Sequence, residues 1–234
     1  MIKPYYEDES GVIYHGDCLE ILPELPDKSV DLVLTDPPYG VDVASLSKDG
    51  VGGEQAKKRY ESGCYDDRPI TLKSIIKRIL PLMLGLSDCV AVCAGIKTLM
   101  LYPQPDWILA WIYKKKHSFC PYGFNNWTPI LCYGKDPFQQ KRKGNAPFAV
   151  KTDVIYDNSV VSKNGHPTPK PVSFVKKLIE RLSTERGELI LDPFLGSGTT
   201  AVAAKKMGCR YIGIEIEEKY CEIAANRLRQ KVMF

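Results

Sequence analysis

The sequence predicts an α/β fold with a mostly parallel sheet and helices on both faces. Three observations predict it. Short apolar runs at 29–35, 89–93 and 188–191 have the composition of strands buried on both faces. Helical spacing of apolar residues lies between them, through Leu72, Ile75, Ile76, Ile79, Leu80 and Met83, and again through Phe174, Val175, Leu178, Ile179 and Leu182. A strand, a glycine-rich turn, a helix and a second strand then follow one another between residues 188 and 215, which is a βαβ unit.

In chain order, residues 11–14 read as a short strand. His15-Gly16-Asp17-Cys18 turns into a helix with Asp17 suited to cap it, and Pro23 and Pro26 end that helix. The strand at 29–35 stops at Asp36-Pro37-Pro38-Tyr39-Gly40, because neither proline can donate a ladder hydrogen bond. Residues 41–69 are polar, rich in glycine and too long for an idle connection, so they read as a loop that covers or contacts a ligand. The helix predicted over 71–84 contains Pro81, which should kink or shorten it. Strands follow at 89–93, 107–113 and 127–133, the last two side by side. Residues 134–165 are polar and aperiodic and read as an insertion. His166-Pro167-Thr168-Pro169-Lys170-Pro171-Val172 leads into the next helix. A strand at 188–191, the turn Asp192-Pro193-Phe194-Leu195-Gly196-Ser197-Gly198-Thr199-Thr200-Ala201, a helix stopped by Gly208, a strand ending at Glu215 and a helix over 218–231 complete the chain.

Composition is that of an ordinary soluble protein. No apolar run is long enough to span a membrane, and the N-terminal residues lack a secretory h-region, so a cytoplasmic setting is expected. The eight cysteines are scattered without a C-x-x-C pair, which argues against a zinc site or a disulfide framework; no metal is expected. The net charge of +4 decides little, but Lys57-Lys58-Arg59, Lys114-Lys115-Lys116-His117 and Lys141-Arg142-Lys143 cluster in stretches read as loops. Clusters so placed favour a polyanionic partner, and Lys57, Lys58, Arg59, Lys141, Arg142 and Lys143 are the candidate nucleic-acid contacts.

Two segments carry the chemistry. Gly196-x-Gly198-x-x-Ala201 follows a strand and opens a helix, and Glu215 stands 19 residues beyond Gly196 at the end of the next strand. That spacing suits a carboxylate accepting from both hydroxyls of a ribose. The pattern alone would also suit a dinucleotide. No Gly-Lys-Ser/Thr follows, and Asp192-Pro193-Phe194 makes the turn a poor phosphate cradle, so a phosphate-free adenosine cofactor, S-adenosyl-L-methionine, fits better. At the other segment, the Asp36 carboxylate and the Pro37 carbonyl could accept both hydrogens of an exocyclic amine, with Tyr39 stacked on the base. Two such acceptors would pull a delocalised nitrogen lone pair towards a nucleophilic geometry.

These residues resemble those of the N6-adenine/N4-cytosine DNA methyltransferases. An Asp/Ser/Asn-Pro-Pro-aromatic motif and a Phe-x-Gly-x-Gly motif mark that family, and here they stand at Asp36–Tyr39 and Phe194–Gly198. The catalytic motif precedes the cofactor motif, as in the permuted β group. The resemblance implies a Rossmann-like S-adenosylmethionine-dependent methyltransferase fold, one domain over 1–234 and a target-recognition insertion at 134–165. It assigns Asp36, Pro37 and Tyr39 to catalysis. It assigns Asp17, Asp36, Lys170, Asp192, Phe194, Gly196, Ser197, Gly198, Thr199 and Glu215 to the cofactor: Asp17 at its adenine, Glu215 at its ribose, and Lys170 in the segment that helps hold its methionine end. The implied activity is methyl transfer to N6 of a flipped-out adenine in double-stranded DNA. Asp rather than Ser before Pro-Pro favours adenine by association with known enzymes. N4 of cytosine and RNA adenine are the alternatives, and a NAD-dependent oxidoreductase is the rival that the βαβ unit alone permits. The resemblance leaves open a homodimer and a cognate restriction endonuclease.

Overall fold

The computed structural model describes residues 2–40, 68–114, 118–120, 123–138, 152–159 and 169–230. The two basic triplets at 57–59 and 141–143, nearly all of the 41–69 loop, most of 134–165, and His166 lie outside the described residues.

The strands are β1 (Tyr6–Asp8), β2 (Gly11–His15), β3 (Leu32–Thr35), β4 (Cys89–Cys93), β5 (Trp107–Ile112), β6 (Ser118–Cys120), β7 (Gly123–Asn125), β8 (Trp127–Gly134), β9 (Val154–Tyr156), β10 (Leu189–Asp192) and β11 (Arg210–Glu215). The helices are α1 (Cys18–Ile21), α2 (Pro69–Leu86), α3 (Val172–Leu182), α4 (Thr199–Lys206) and α5 (Glu218–Arg229). Among the described residues, nine strands form one sheet in the order β1-β2-β11-β10-β3-β4-β8-β5-β9, and β6 and β7 pair separately. The run β2-β11-β10-β3-β4 is parallel throughout. β8 returns antiparallel between β4 and β5.

The alternation within β3 explains the layering. Leu32 and Leu34 face the core shared with Phe174, Leu178 and Ala203 of α3 and α4, while Val33 faces Ile79 and Met83 of α2. Each side chain of this kind, fully buried, contributes about 1.5–3 kcal/mol of transfer free energy. A sheet covered on both faces leaves only its strand ends for a ligand.

Several boundaries differ from those the sequence predicts. The strand expected over 29–35 begins at Leu32; Val30 instead donates its N–H to Leu86 O, closing the chain onto the end of α2. α2 is longer than 71–84 and runs through Pro81 without ending there. Pro81 faces solvent, where the carbonyl it leaves unpaired can be hydrated. Pro69 opens the helix at a position where a missing N–H costs nothing. β9 lies inside the stretch read as an insertion, yet it pairs with β5 and extends the sheet. Among the described residues, no helix is long and apolar enough to cross a membrane.

Candidate active site

Four adjacent parallel strands each end in an acid on the same edge of the sheet. In spatial order these are Asp17 just beyond β2, Glu215 at the end of β11, Asp192 at the end of β10 and Asp36 just beyond β3. At roughly 4.8 Å between strands, the row is roughly 15 Å long. The sequence puts these acids as far as 198 positions apart, and only the strand order makes them neighbours.

A cleft opens over the inner half of this row. Of the residues predicted from sequence, Asp36, Lys170, Asp192, Phe194, Gly196, Ser197 and Thr199 line it. Thr35, Cys93 and Phe174 line it too, without having been predicted.

The glycine-rich turn is held from both sides. Glu215 Oε2 accepts from Gly196 N at 2.8 Å and its Oε1 accepts from Glu217 N at 2.8 Å. Burial raises the pKa of Glu215, and the N–H donors of Glu217 and Gly196 offset part of that rise. Asp17 caps α1, accepting from Leu19 N at 2.8 Å. Its segment is joined to β11 through Gly16 N and Glu215 O. Gly198 has a left-handed φ of 81°, and a Cβ there would come within 2.6 Å of Ala224 Cβ. The absence of a side chain at Gly198 therefore serves the packing of α5 against the turn.

Sequence reasoning missed Arg227. It reaches from α5 to donate from one Nη to Ser197 O, to Ser197 Oγ at 3.3 Å and to Thr199 Oγ1 at 3.2 Å. Nothing in the helical periodicity distinguishes it from its exposed neighbours Glu222, Asn226 and Arg229.

Asp192 is 3% exposed. Its Oδ1 accepts from Thr35 Oγ1 at 2.7 Å and Phe194 N at 3.1 Å. Burial pushes its pKa up to about 6, against the partly opposing hydrogen bonds of Thr200, Thr35 and Phe194. A carboxyl raised in the folded state keeps a proton that the unfolded chain releases near its ordinary value. Its contribution to stability therefore falls as pH rises from about 4 to about 6 and is flat above, a loss on the order of 2–3 kcal/mol. Thermal melts across that window should show Asp192→Asn gaining on the wild type by several degrees between pH 4 and 6. A constant difference between the two proteins contradicts this.

Asp36 stands at the inner end of the row. Lys170, just before α3, donates from Nζ to Asp36 Oδ2, while Asp36 Oδ1 is buried without a hydrogen-bond partner among the described residues. Burial pulls the Lys170 ammonium towards release of its proton, but the charge and hydrogen bond of Asp36 hold its pKa above the ordinary lysine value. The same ammonium lies 4.9 Å from the centroid of the Tyr39 ring. Tyr39 is half-buried, with its hydroxyl turned inward and unpartnered among the described residues. Burial, and next the Asp36 charge, hold its phenol well above the ordinary value, so it stays protonated. Thr98 Oγ1 donates to Tyr39 O at 2.7 Å, and Gly95 closes against the Tyr39 Cβ. Pro37 is buried.

A model of the DNA methylase family N6_N4_Mtase matches residues 100–226. The Type II methyltransferase M2.LlaDCHI of Lactococcus lactis subsp. cremoris is 28% identical over 254 aligned positions, covering 98% of this chain and 93% of that protein. M2.DpnII of Streptococcus pneumoniae, also a Type II methyltransferase, is 26% identical over 250 positions, covering 97% and 93%. Among solved structures, the cytosine-N4-specific PvuII DNA methyltransferase superposes with a TM-score of 0.70 at 16% identity, covering 99% of this chain and 91% of the other. M1.HpyAVI in its complex with SAM superposes with a TM-score of 0.60 at 22% identity, covering 93% and 98%.

Proposed function

Because the chain belongs to the N6/N4 DNA methylase family, we propose that it methylates N6 of adenine at a specific site in double-stranded DNA. The fold is the Rossmann-like fold of S-adenosylmethionine-dependent methyltransferases, and the chain is a DNA methyltransferase of the N6/N4 type. The observation that carries the adenine reading is the identity of the residue before Pro37-Pro38, Asp36 rather than Ser, which favours adenine by association; its place at the inner end of the row of acids, in the wall of the cleft, supports methyl transfer to an amine.

The residues present fit S-adenosylmethionine. The cleft wall carries Asp36 and Asp192, and its ligand would carry a sulfonium and an ammonium. When bound, the cofactor supplies an electrophilic methyl group on sulfur. The protein's part is to hold it and to prepare the amine. Glu215 accepts from backbone N–H groups through both oxygens and offers its remaining acceptor capacity to the ribose hydroxyls. Asp17, one strand further out, serves the adenine, and Asp192, one strand further in, serves the methionine end. Asp36 and the Pro37 carbonyl accept the N–H groups of the target amine, and Tyr39 packs on the base. The base must leave the duplex to reach a site at a sheet edge. The basic triplets at 57–59 and 141–143 complete the reading as phosphate contacts, with binding that weakens as salt rises. A restriction endonuclease of matching site belongs to the same reading, on the strength of the Type II methyltransferases among the relatives.

Cytosine N4 is the second reading. It is favoured by the PvuII likeness, and it needs no other acceptors than those named. Incubation with labelled S-adenosylmethionine and unmethylated DNA, followed by digestion to nucleosides, separates the two. Label in N6-methyladenine is expected. Label in N4-methylcytosine overturns the choice of base, and label acquired only with RNA overturns the choice of polymer.

A further inference from the structure

We infer that Lys170 switches between two carboxylates, that of Asp36 and that of the cofactor, so that filling the cleft uncovers Asp36 for the base. The inference rests on the function proposed above. Asp36 Oδ1 is sealed in the protein, whereas the side chain as a whole is 29% exposed. The accessible part of the carboxylate is therefore the Oδ2 side, and that is the oxygen Lys170 holds. The ammonium also sits over the Tyr39 ring, at a distance suited to a cation–π contact. It thus makes both contacts required of the target base, an N–H on Asp36 and a body against Tyr39. With Lys170 there, Asp36 offers the base no open acceptor.

The side chain has somewhere else to go. Among the described residues, Lys170 is the only cation lining the cleft. Its flexible four-carbon stem lets the ammonium turn without moving the backbone. Leaving the half-buried Asp36 carboxylate for nothing would be unfavourable, because each partner would lose its counter-charge. An amino-acid cofactor brings a carboxylate of its own into the cleft, which makes the move an exchange of one anion for another. Asp36 then faces the base bare. A base with an exocyclic amine restores the lost N–H, while one that presents a carbonyl oxygen there cannot. The cofactor therefore enters before the base, and Lys170 adds to the discrimination in favour of amino-bearing bases.

Binding of S-adenosylhomocysteine, measured by calorimetry without DNA, tests this through a double-mutant cycle. Asp36 competes with the ligand for Lys170, so Asp36→Asn should tighten binding about threefold to tenfold, the factor by which the competent population rises. Lys170→Gln should weaken binding about tenfold, and in that background Asp36→Asn should have no effect. Equal effects of Asp36→Asn in both backgrounds, or a weakening where Lys170 is present, overturn the inference. Asp36→Ser replaces the Asn variant if a thermal melt finds the latter unfolded. A wild-type protein that binds no S-adenosylhomocysteine removes the underlying function, and the inference with it. Normal wild-type binding with an uncoupled cycle sinks the inference alone.

Discussion

Asp36→Ala is expected to lower the methyl-transfer rate about a thousandfold, which is about 4 kcal/mol of barrier. The size follows from what is removed. In the proposed reaction Asp36 is the acidic acceptor; it stands at the inner end of the strand row and lines the cleft. An exocyclic amine gives up ring conjugation when it attacks, and a fixed anionic acceptor at its N–H is worth most in that transition state. Cofactor binding should be no weaker than in the wild type, because Asp192, Glu215 and the turn that carries Phe194 are untouched. Rapid-quench transfer under saturating cofactor gives the rate, and calorimetry with S-adenosylhomocysteine gives the affinity. A variant that loses binding and rate together makes Asp36 chiefly a cofactor ligand.

Arg227→Leu is expected to weaken cofactor binding about tenfold to fiftyfold and to lower stability by about 2 kcal/mol, with the rate at saturation retained. Its guanidinium satisfies the Ser197 carbonyl and both hydroxyls at Ser197 and Thr199. Leucine removes all three donations and releases the turn that walls the cleft. In a chain of this length a loss of that size moves the melting temperature by about 4–8 °C. Arg227→Lys can satisfy one of these acceptors and should fall between. Unchanged affinity beside a lowered melting temperature would confine Arg227 to stability.

The parts of the site that can be read in the sequence are those written locally. Asp36-Pro37-Pro38-Tyr39 shows itself because prolines must end a buried strand, and the cofactor turn because strand, glycines, helix and spaced acid follow within 30 residues. The short edge strands are another matter. Tyr6–Asp8 and Val154–Tyr156 have three residues each, too few for alternation to register, and the second lies in a polar stretch. The contacts that tune the site are long-range. Lys170 meets Asp36 across 134 positions and Arg227 meets Ser197 across 30, and neither leaves a trace in local periodicity. Gly198 shows the reverse problem. Its glycine is conspicuous in the sequence, but the close neighbour Ala224 that a side chain there would strike lies on another helix and cannot be read locally.

The central claim is that the acids at the ends of β2, β11, β10 and β3 form one site, with the cofactor along the row and the reacting amine at Asp36. A crystal structure with S-adenosylhomocysteine bound tests it most directly. The claim predicts adenine near Asp17, ribose on Glu215 and the thioether sulfur in the cleft between Asp36 and Phe194. A ligand seated elsewhere, or with its sulfur turned away from Asp36, would contradict it.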